Sequence, residues 1–136
     1  MEGPVDLGLA GRRFVVAGGS RGIGAATVAL LCEEGAEIWA GARGEDDLKR
    51  LRERLKLVPG RLHTTAVDLT DPDAVARWAE ALAGTWGSVD GLVYAAGGGV
   101  RLPFARAGDE DWRAGFEVNL FAAVRFLRRM LPAVAR

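Results

Sequence analysis

Three glycines, Gly18, Gly22 and Gly24, stand between an apolar run and an apolar helical pattern in Phe14-Val15-Val16-Ala17-Gly18-Gly19-Ser20-Arg21-Gly22-Ile23-Gly24. A strand that ends in such a turn and feeds a helix presents backbone N–H groups to an anion, and the helix dipole adds to the attraction. In that setting Gly18 permits the sharp turn, Gly22 lets the backbone approach a pyrophosphate with no Cβ in the way, and Gly24 lets the helix pack close to the strand. The chemistry these residues suit is the holding of a nucleotide's phosphates, with Ser20, Arg21 and Ile23 in the same loop. A glycine cluster alone is mostly a turn, but here the flanking strand and helix supply the required context.

A second position bears on which nucleotide. About 20 residues beyond the glycines, a site for the unphosphorylated dinucleotide usually carries a carboxylate for the ribose hydroxyls. This chain has Ala42 there and Arg43 beside it. A carboxylate would repel a 2′-phosphate, whereas Arg43 and Arg21 can pair with one, each charge-assisted hydrogen bond being worth about 1.5–3 kcal/mol. The expected cofactor is NADP(H) rather than NAD(H). Two exposed solubilising arginines are the plainer alternative.

The elements that must position these residues follow from the hydrophobic pattern. Strand one is Phe14 to Ala17, and its nearly continuous apolar run suits a central parallel strand covered on both faces. A helix from about Gly22 to Glu34 places Ile23, Ala26 and Leu30 on one face and stops at Gly35. Strand two is Glu37 to Ala40. The next helix starts after Gly44 with Glu45, Asp46 and Asp47 at its positive end, and Leu48, Leu51 and Leu55 form its apolar face. Its basic residues form a solvated face. Pro59-Gly60 ends it, and strand three is Leu62 to Val67. Thr70 or Asp71 can cap the third helix, Pro72 fits its first turn, and Val75, Trp78, Ala79 and Leu82 give its buried stripe. Strand four is Gly91 to Tyr94. From Asp109 the chain is helical again, with Trp112, Phe116, Leu120, Ala123 and Leu127 along one side. This β-α-β-α-β-α-β-α order implies an α/β, three-layer, Rossmann-type fold with strand order 3-2-1-4 and the nucleotide at the carboxyl edge.

Composition sets the outer bounds. The 136 residues are 49% hydrophobic and 26% charged, an ordinary globular balance for one domain. Zero formal net charge excludes a general attraction to nucleic acid or anionic membrane. The longest apolar runs fall far short of the ~20 residues of a membrane span, and Met1-Glu2-Gly3-Pro4 lacks the basic and apolar regions of a signal peptide. The reading places the chain in the cytoplasm, and its Arg- and Ala-rich composition points to a bacterial source. The single cysteine, Cys32, cannot form an intrachain disulfide and reads as buried packing; no metal-ligand cluster is expected.

The spacing Gly18-x3-Gly22-x-Gly24, with Asp68-Leu69 after strand three, Ala96-Gly97 after strand four and Asn119 in the last helix, resembles the short-chain dehydrogenase/reductase family over essentially the whole chain. That resemblance implies hydride transfer between NADP(H) and a carbonyl or alcohol substrate in the complete form. It implies that Asp68 bonds the adenine amino group and Leu69 lies against the ring; the plainer reading is that Asp68 caps the junction before the third helix, and both can hold at once. Tyr94-Ala95-Ala96-Gly97 stands where the family commonly has Asn-Asn-Ala-Gly, and the small Ala95, Ala96 and Gly97 leave room for the cofactor's ribose. Tyr94 reads as strand-end packing. Asn119 matches the helix-interrupting Asn whose main-chain carbonyl holds a water in a proton relay. Ala17 departs from the family's usual Thr.

The resemblance also implies that residues 1–136 are a single dinucleotide-binding domain without the C-terminal catalytic part. The family's catalytic Ser and Tyr-x-x-x-Lys come later than Pro132-Ala133-Val134-Ala135-Arg136, so little or no turnover is expected from this chain alone. A noncatalytic NADP(H)-binding or protein-interaction module is the alternative. Homo-oligomers are expected to form through the strand-four edge, where Leu92 and Val93 lie, or through the last helix.

Overall fold

The structure is a computed structural model and describes residues 5–99 and 101–134. The acidic start Met1 to Pro4 and the final Ala135-Arg136 lie outside the described residues. Four parallel strands, β1 (Arg13–Ala17), β2 (Glu37–Ala42), β3 (Arg61–Ala66) and β4 (Gly91–Tyr94), lie in the order β3-β2-β1-β4. Their connections are α1 (Gly22–Glu33), α2 (Glu45–Leu55) and α3 (Pro72–Thr85). After β4 come a short 3-10 turn (Phe104–Arg106), α4 (Asp109–Phe116), a π-helical turn (Glu117–Phe121) and α5 (Ala122–Met130). The fold is the doubly wound, Rossmann-type α/β arrangement that the element order implies.

Strand alternation sends neighbouring side chains into two separate cores. Val16, Ile38, Ala40 and Ala42 meet Val28 and Cys32 of α1 and Leu48, Leu51 and Leu55 of α2 on one face. Val15 and Ala17 meet Val75, Trp78 and Leu82 of α3 and Phe126 and Met130 of α5 on the other. Cys32 is fully buried, and burial, followed by the charge of Glu33, pushes its thiol up to about 11.

Two helix faces differ from expectation. In α1, Ile23, Ala26 and Leu30 are exposed, and Gly24, Val28 and Cys32 face the sheet. In the last helical stretch, Trp112, Phe116, Leu120 and Leu127 are each at least 41% exposed, whereas Ala122, Phe126 and Met130 are buried. Strand two is longer than expected, because Gly41 and Ala42 still pair with β3. The indole of Trp78 takes the place that a Gly41 side chain would fill, so only glycine keeps that register. Strand three runs Arg61–Ala66, one residue earlier than expected at each end.

At the opposite edge from the glycine turn, carboxylates tie the strands together. Asp90 accepts from the Arg13 backbone N–H at 2.8 Å and from Arg12 Nη1 at 3.0 Å. Glu37 meets Arg13 Nε at 3.1 Å and His63 Nε2 at 3.0 Å. The Arg13 and Arg12 bonds hold Asp90 below the usual carboxylate range. For Glu37, burial pushes upward, but the His63 and Arg13 bonds outweigh it and the net direction is down. Groups with lowered native pKa values contribute stability above their unfolded values and lose it as pH falls through the native ones. The urea midpoint is therefore expected to stay level from about pH 8 to 5 and to fall below about pH 4. A midpoint insensitive to acid there would contradict these bonds.

Candidate functional site

The carboxyl ends of the four strands open into a cleft of about 460 Å³. Its floor is the glycine turn. Gly18 has φ +79°, and a Cβ there would stand 2.6 Å from Ala96 Cα, so the turn lies directly against the segment leaving β4. A Cβ on Gly24 would strike the Gly18 carbonyl, which is why α1 can begin so close to the strand. Gly22, at φ +56°, has no protein atom within 4 Å of where its Cβ would be, so that part of the backbone is open. The N-cap residue Arg21 gives α1 no side-chain cap, and no acidic residue occupies its first turn. The start of α1, next to the cleft-lining Ser20 and Arg21, thus has no side-chain acceptor of its own, which fits a pyrophosphate.

Ser20, Arg21, Ala42 and Arg43 line one end of the cleft, with Asp68 and Leu69 beside them. Arg21 and Arg43 are both exposed. Asp68 Oδ1 accepts from the Thr70 backbone N–H at 2.9 Å and from its hydroxyl at 2.7 Å. These bonds to the Thr70 hydroxyl and N–H, with the charge of Arg43, hold the Asp68 carboxyl below the usual range. Helix α3 is N-capped by Asp71, whose Oδ1 accepts from Asp73 N at 2.9 Å and Ala74 N at 3.3 Å, while Asp68 closes the junction before it through its bonds to Thr70. Asp68 Oδ2 has no hydrogen-bond partner among the described residues. Leu69 is 7% exposed and joins the α3-side core while bordering the cleft.

Ala95, Ala96 and Gly97 form the opposite wall. Asn119 sits in the π-helical turn, which interrupts the α geometry between α4 and α5. Such wide single turns recur at functional sites. The Asn119 amide donates to Gly98 O at 2.7 Å and Gly115 O at 2.8 Å, and its Oδ1 accepts from Gly98 N at 3.2 Å. It therefore ties the loop after β4 to the helix. Tyr94 adds a second tie, donating its hydroxyl to Val118 O at 2.9 Å while its ring lies 5.7 Å from that of Phe126. Its packing role is as expected; the bond to the π turn is not visible in sequence. Four of the expected site residues, Gly22, Ile23, Gly24 and Asn119, do not line the cleft, and Ile23 is 82% exposed.

Sequence reasoning missed Thr70, which orients Asp68, although a hydroxyl two residues after an acid is a readable turn signal. It also missed Asp111, Gly115 and Val118 on the far wall, which only the path of the helix brings in.

A parallel sheet with this strand order and a glycine turn below a cleft at its carboxyl edge defines the Rossmann-type nucleotide-binding class. Comparison with known proteins narrows it: the family model of short chain dehydrogenases matches residues 12–136, and the chain belongs to that family. The L-xylulose reductase of Mesocricetus auratus is 38% identical over 121 residues, which are 89% of this chain and 46% of that protein. The Thermotoga maritima 3-oxoacyl-acyl-carrier-protein reductase FabG is 30% identical over 91% of this chain and 50% of its own length. A crystal structure of L-sorbose reductase from Gluconobacter frateurii, complexed with NADPH and L-sorbose, superposes with TM-score 0.86 at 34% identity, covering 95% of this chain and 49% of that one. The chain spans about half the length of the curated relatives it matches.

Proposed function

We propose that this chain is the NADP(H)-binding portion of a short-chain oxidoreductase, a single dinucleotide-binding domain over residues 1–136. When bound, the cofactor supplies a hydride for exchange with a carbonyl or alcohol substrate in the complete form. One observation carries the reading: Gly18 and Ser20 of the glycine turn, Arg21, Arg43 and Asp68 border one cleft, with Ala42 where a repelling carboxylate would stand. The N–H groups behind Gly22 hold the pyrophosphate, and Arg21 and Arg43 hold the 2′-phosphate. Asp68 accepts from the adenine amino group, with Leu69 against the ring. Ala95, Ala96 and Gly97 leave space for the ribose, and the main-chain carbonyl of Asn119 holds a relay water. The L-sorbose reductase complex with NADPH supports this choice of cofactor.

The only tyrosine is Tyr94, and Gly98 stands where the lysine of a Tyr-x-x-x-Lys pair would be. Its hydroxyl is engaged with the π turn and burial pushes its pKa up, so it is no ready acid. The chain by itself has little or no turnover, because acid–base assistance worth about 10²–10⁴-fold in rate is missing.

Calorimetric titration tests the reading. NADPH is expected to bind about tenfold or more tightly than NADH, and Arg43→Ala to remove most of that difference while sparing NADH. Equal affinities would overturn the NADP(H) assignment, and binding of neither would overturn the cleft as an autonomous site.

A second reading, a noncatalytic NADP(H)-binding or interaction module, is favoured by one observation. Trp112, Phe116, Leu120 and Leu127 expose apolar surface on the helix beyond β4. Among the described residues β4 pairs only with β1 in the sheet, although Val89 just before it makes one parallel bridge to Val134. Two copies associate through the β4 edge or this helix, so solution scattering at micromolar concentration should give a dimer; a monodisperse monomer would refute it. No described helix is long and apolar enough to cross a membrane; the cytoplasm is the proposed location.

A further inference from the structure

The adenosine end of the cleft contains a carboxylate that neither the glycine motif nor the β2 junction accounts for. Asp47, in the first turn of α2, lies 3.6 Å from Arg21 Nε through its Oδ2. Its Oδ1 is paired with Arg50. The same Oδ2 folds back over Gly44, where a Cβ would stand 2.9 Å from it. Gly44, Arg21 and Arg43 all border the cleft, so the Asp47 carboxylate sits at its rim. Its side chain is 25% exposed against 77% for Arg21. Arg43 makes no ion pair among the described residues.

We infer that Asp47 is a specificity-determining residue: its carboxylate competes with a 2′-phosphate for Arg21. The inference rests on the reading of the cleft given above. When a 2′-phosphate arrives, Arg21 must turn from Asp47 to the ligand, and Arg50 stays behind as the partner that keeps Asp47 neutralised. An ion pair as exposed as Arg21–Asp47 is readily exchanged. Asp47 therefore tunes the preference without closing the site. It acts on the phosphorylated cofactor by holding the arginine that its phosphate would engage. NADH, which has no 2′-phosphate, does not meet this competition.

The test is calorimetric titration of the chain and its Asp47→Asn, Arg21→Ala and doubly substituted forms with NADPH and NADH. Asp47→Asn keeps the shape and removes the charge; Asp47→Ser is the second variant, and thermal melting confirms that each folds. Asp47→Asn is expected to tighten NADPH about three- to tenfold and to leave NADH within about twofold. The gain should vanish when Arg21 is alanine. Unchanged or weakened NADPH binding, an equal gain for both cofactors, or a gain that survives without Arg21 would overturn the inference. If the native chain prefers NADPH and Asp47→Asn changes nothing, the cleft reading stands and this one falls. If only the variant prefers NADPH, the native preference falls and the role of Asp47 stands. Failure of every form to bind either cofactor overturns both.

Discussion

Gly24→Ala is expected to abolish measurable dinucleotide binding and to lower the unfolding free energy by about 3 kcal/mol. The added Cβ would fall well inside contact distance of the Gly18 carbonyl oxygen, 2.8 Å from that carbonyl carbon and 3.1 Å from Gly19 Cα. All three are backbone atoms, so no side chain can swing away. Either α1 moves off the strand or the turn yields. The turn is held by the Gly18 N–H bond to Gly41 O at 2.8 Å, and beyond Gly18 stands the backbone of Ala96. Relief thus displaces α1, and with it the N–H groups meant for the pyrophosphate. Gly22→Ala is the contrast, because nothing crowds that position and only its left-handed φ opposes a side chain, at about 1–2 kcal/mol. Titration and urea unfolding of the two variants read the difference; native-like binding by Gly24→Ala would mean that the turn is softer than its contacts imply.

Phe126→Ala is expected to cost about 3–5 kcal/mol, a large part of the about 5–15 kcal/mol typical of a domain. Phe126 is fully buried, with its ring 5.8 Å from Trp78 of α3 and 5.7 Å from Tyr94 at the end of β4. It is the point where the last helix, the third helix and the sheet meet. A cavity there loosens the seat of the π turn, so hydrogen exchange at Gly98 and around Asn119 should rise before the rest of the chain responds. Its neighbour Leu127, 41% exposed, should cost less than about 1 kcal/mol when truncated. Equal costs in urea titrations would mean that the buried face of the last helix is wrongly assigned.

That face illustrates what the sequence does and does not make legible. The glycine spacing, the four strands and their order are local signals: each turn residue announces itself, and right-handed crossovers then leave little choice of topology. The sides of the last helix are not local in this sense. A 3.6-residue period carried from Trp112 through Asn119 assumes an uninterrupted α-helix, but the wider turn at Glu117–Phe121 shifts the phase. Phe126 and Met130 therefore point inward where the extrapolated stripe selected Leu127. In α1 the cause differs. The helix is apolar on nearly every side, so periodicity carries no phase, and the close approach to the sheet selects the face with Gly24. At the site, Gly18, Ser20, Arg21, Arg43, Asp68 and Asn119 were each readable, and all but Asn119 line the cleft directly. Asn119 reaches it through its bonds to the loop at Gly98. The Arg21–Asp47 pair was not readable, since it joins the starts of α1 and α2 through their packing on one face of the sheet rather than through any short-range pattern.

The separation of the two cores has a spectroscopic consequence. Trp39, Trp78 and Trp86 all belong to the α3 side of the sheet, with Trp39 and Trp86 stacked edge to face at 5.3 Å, while Trp112 is the half-exposed fourth. The α1 and α2 side contains no tryptophan, but it contains the chain's only thiol, Cys32. Indole emission therefore observes one layer, and the reactivity of a thiol that is buried and hard to ionise observes the other, with no label on either. Coincident denaturation curves from the two signals would mean that the β-sheet couples its faces into one cooperative unit; separated curves would show each layer melting by itself.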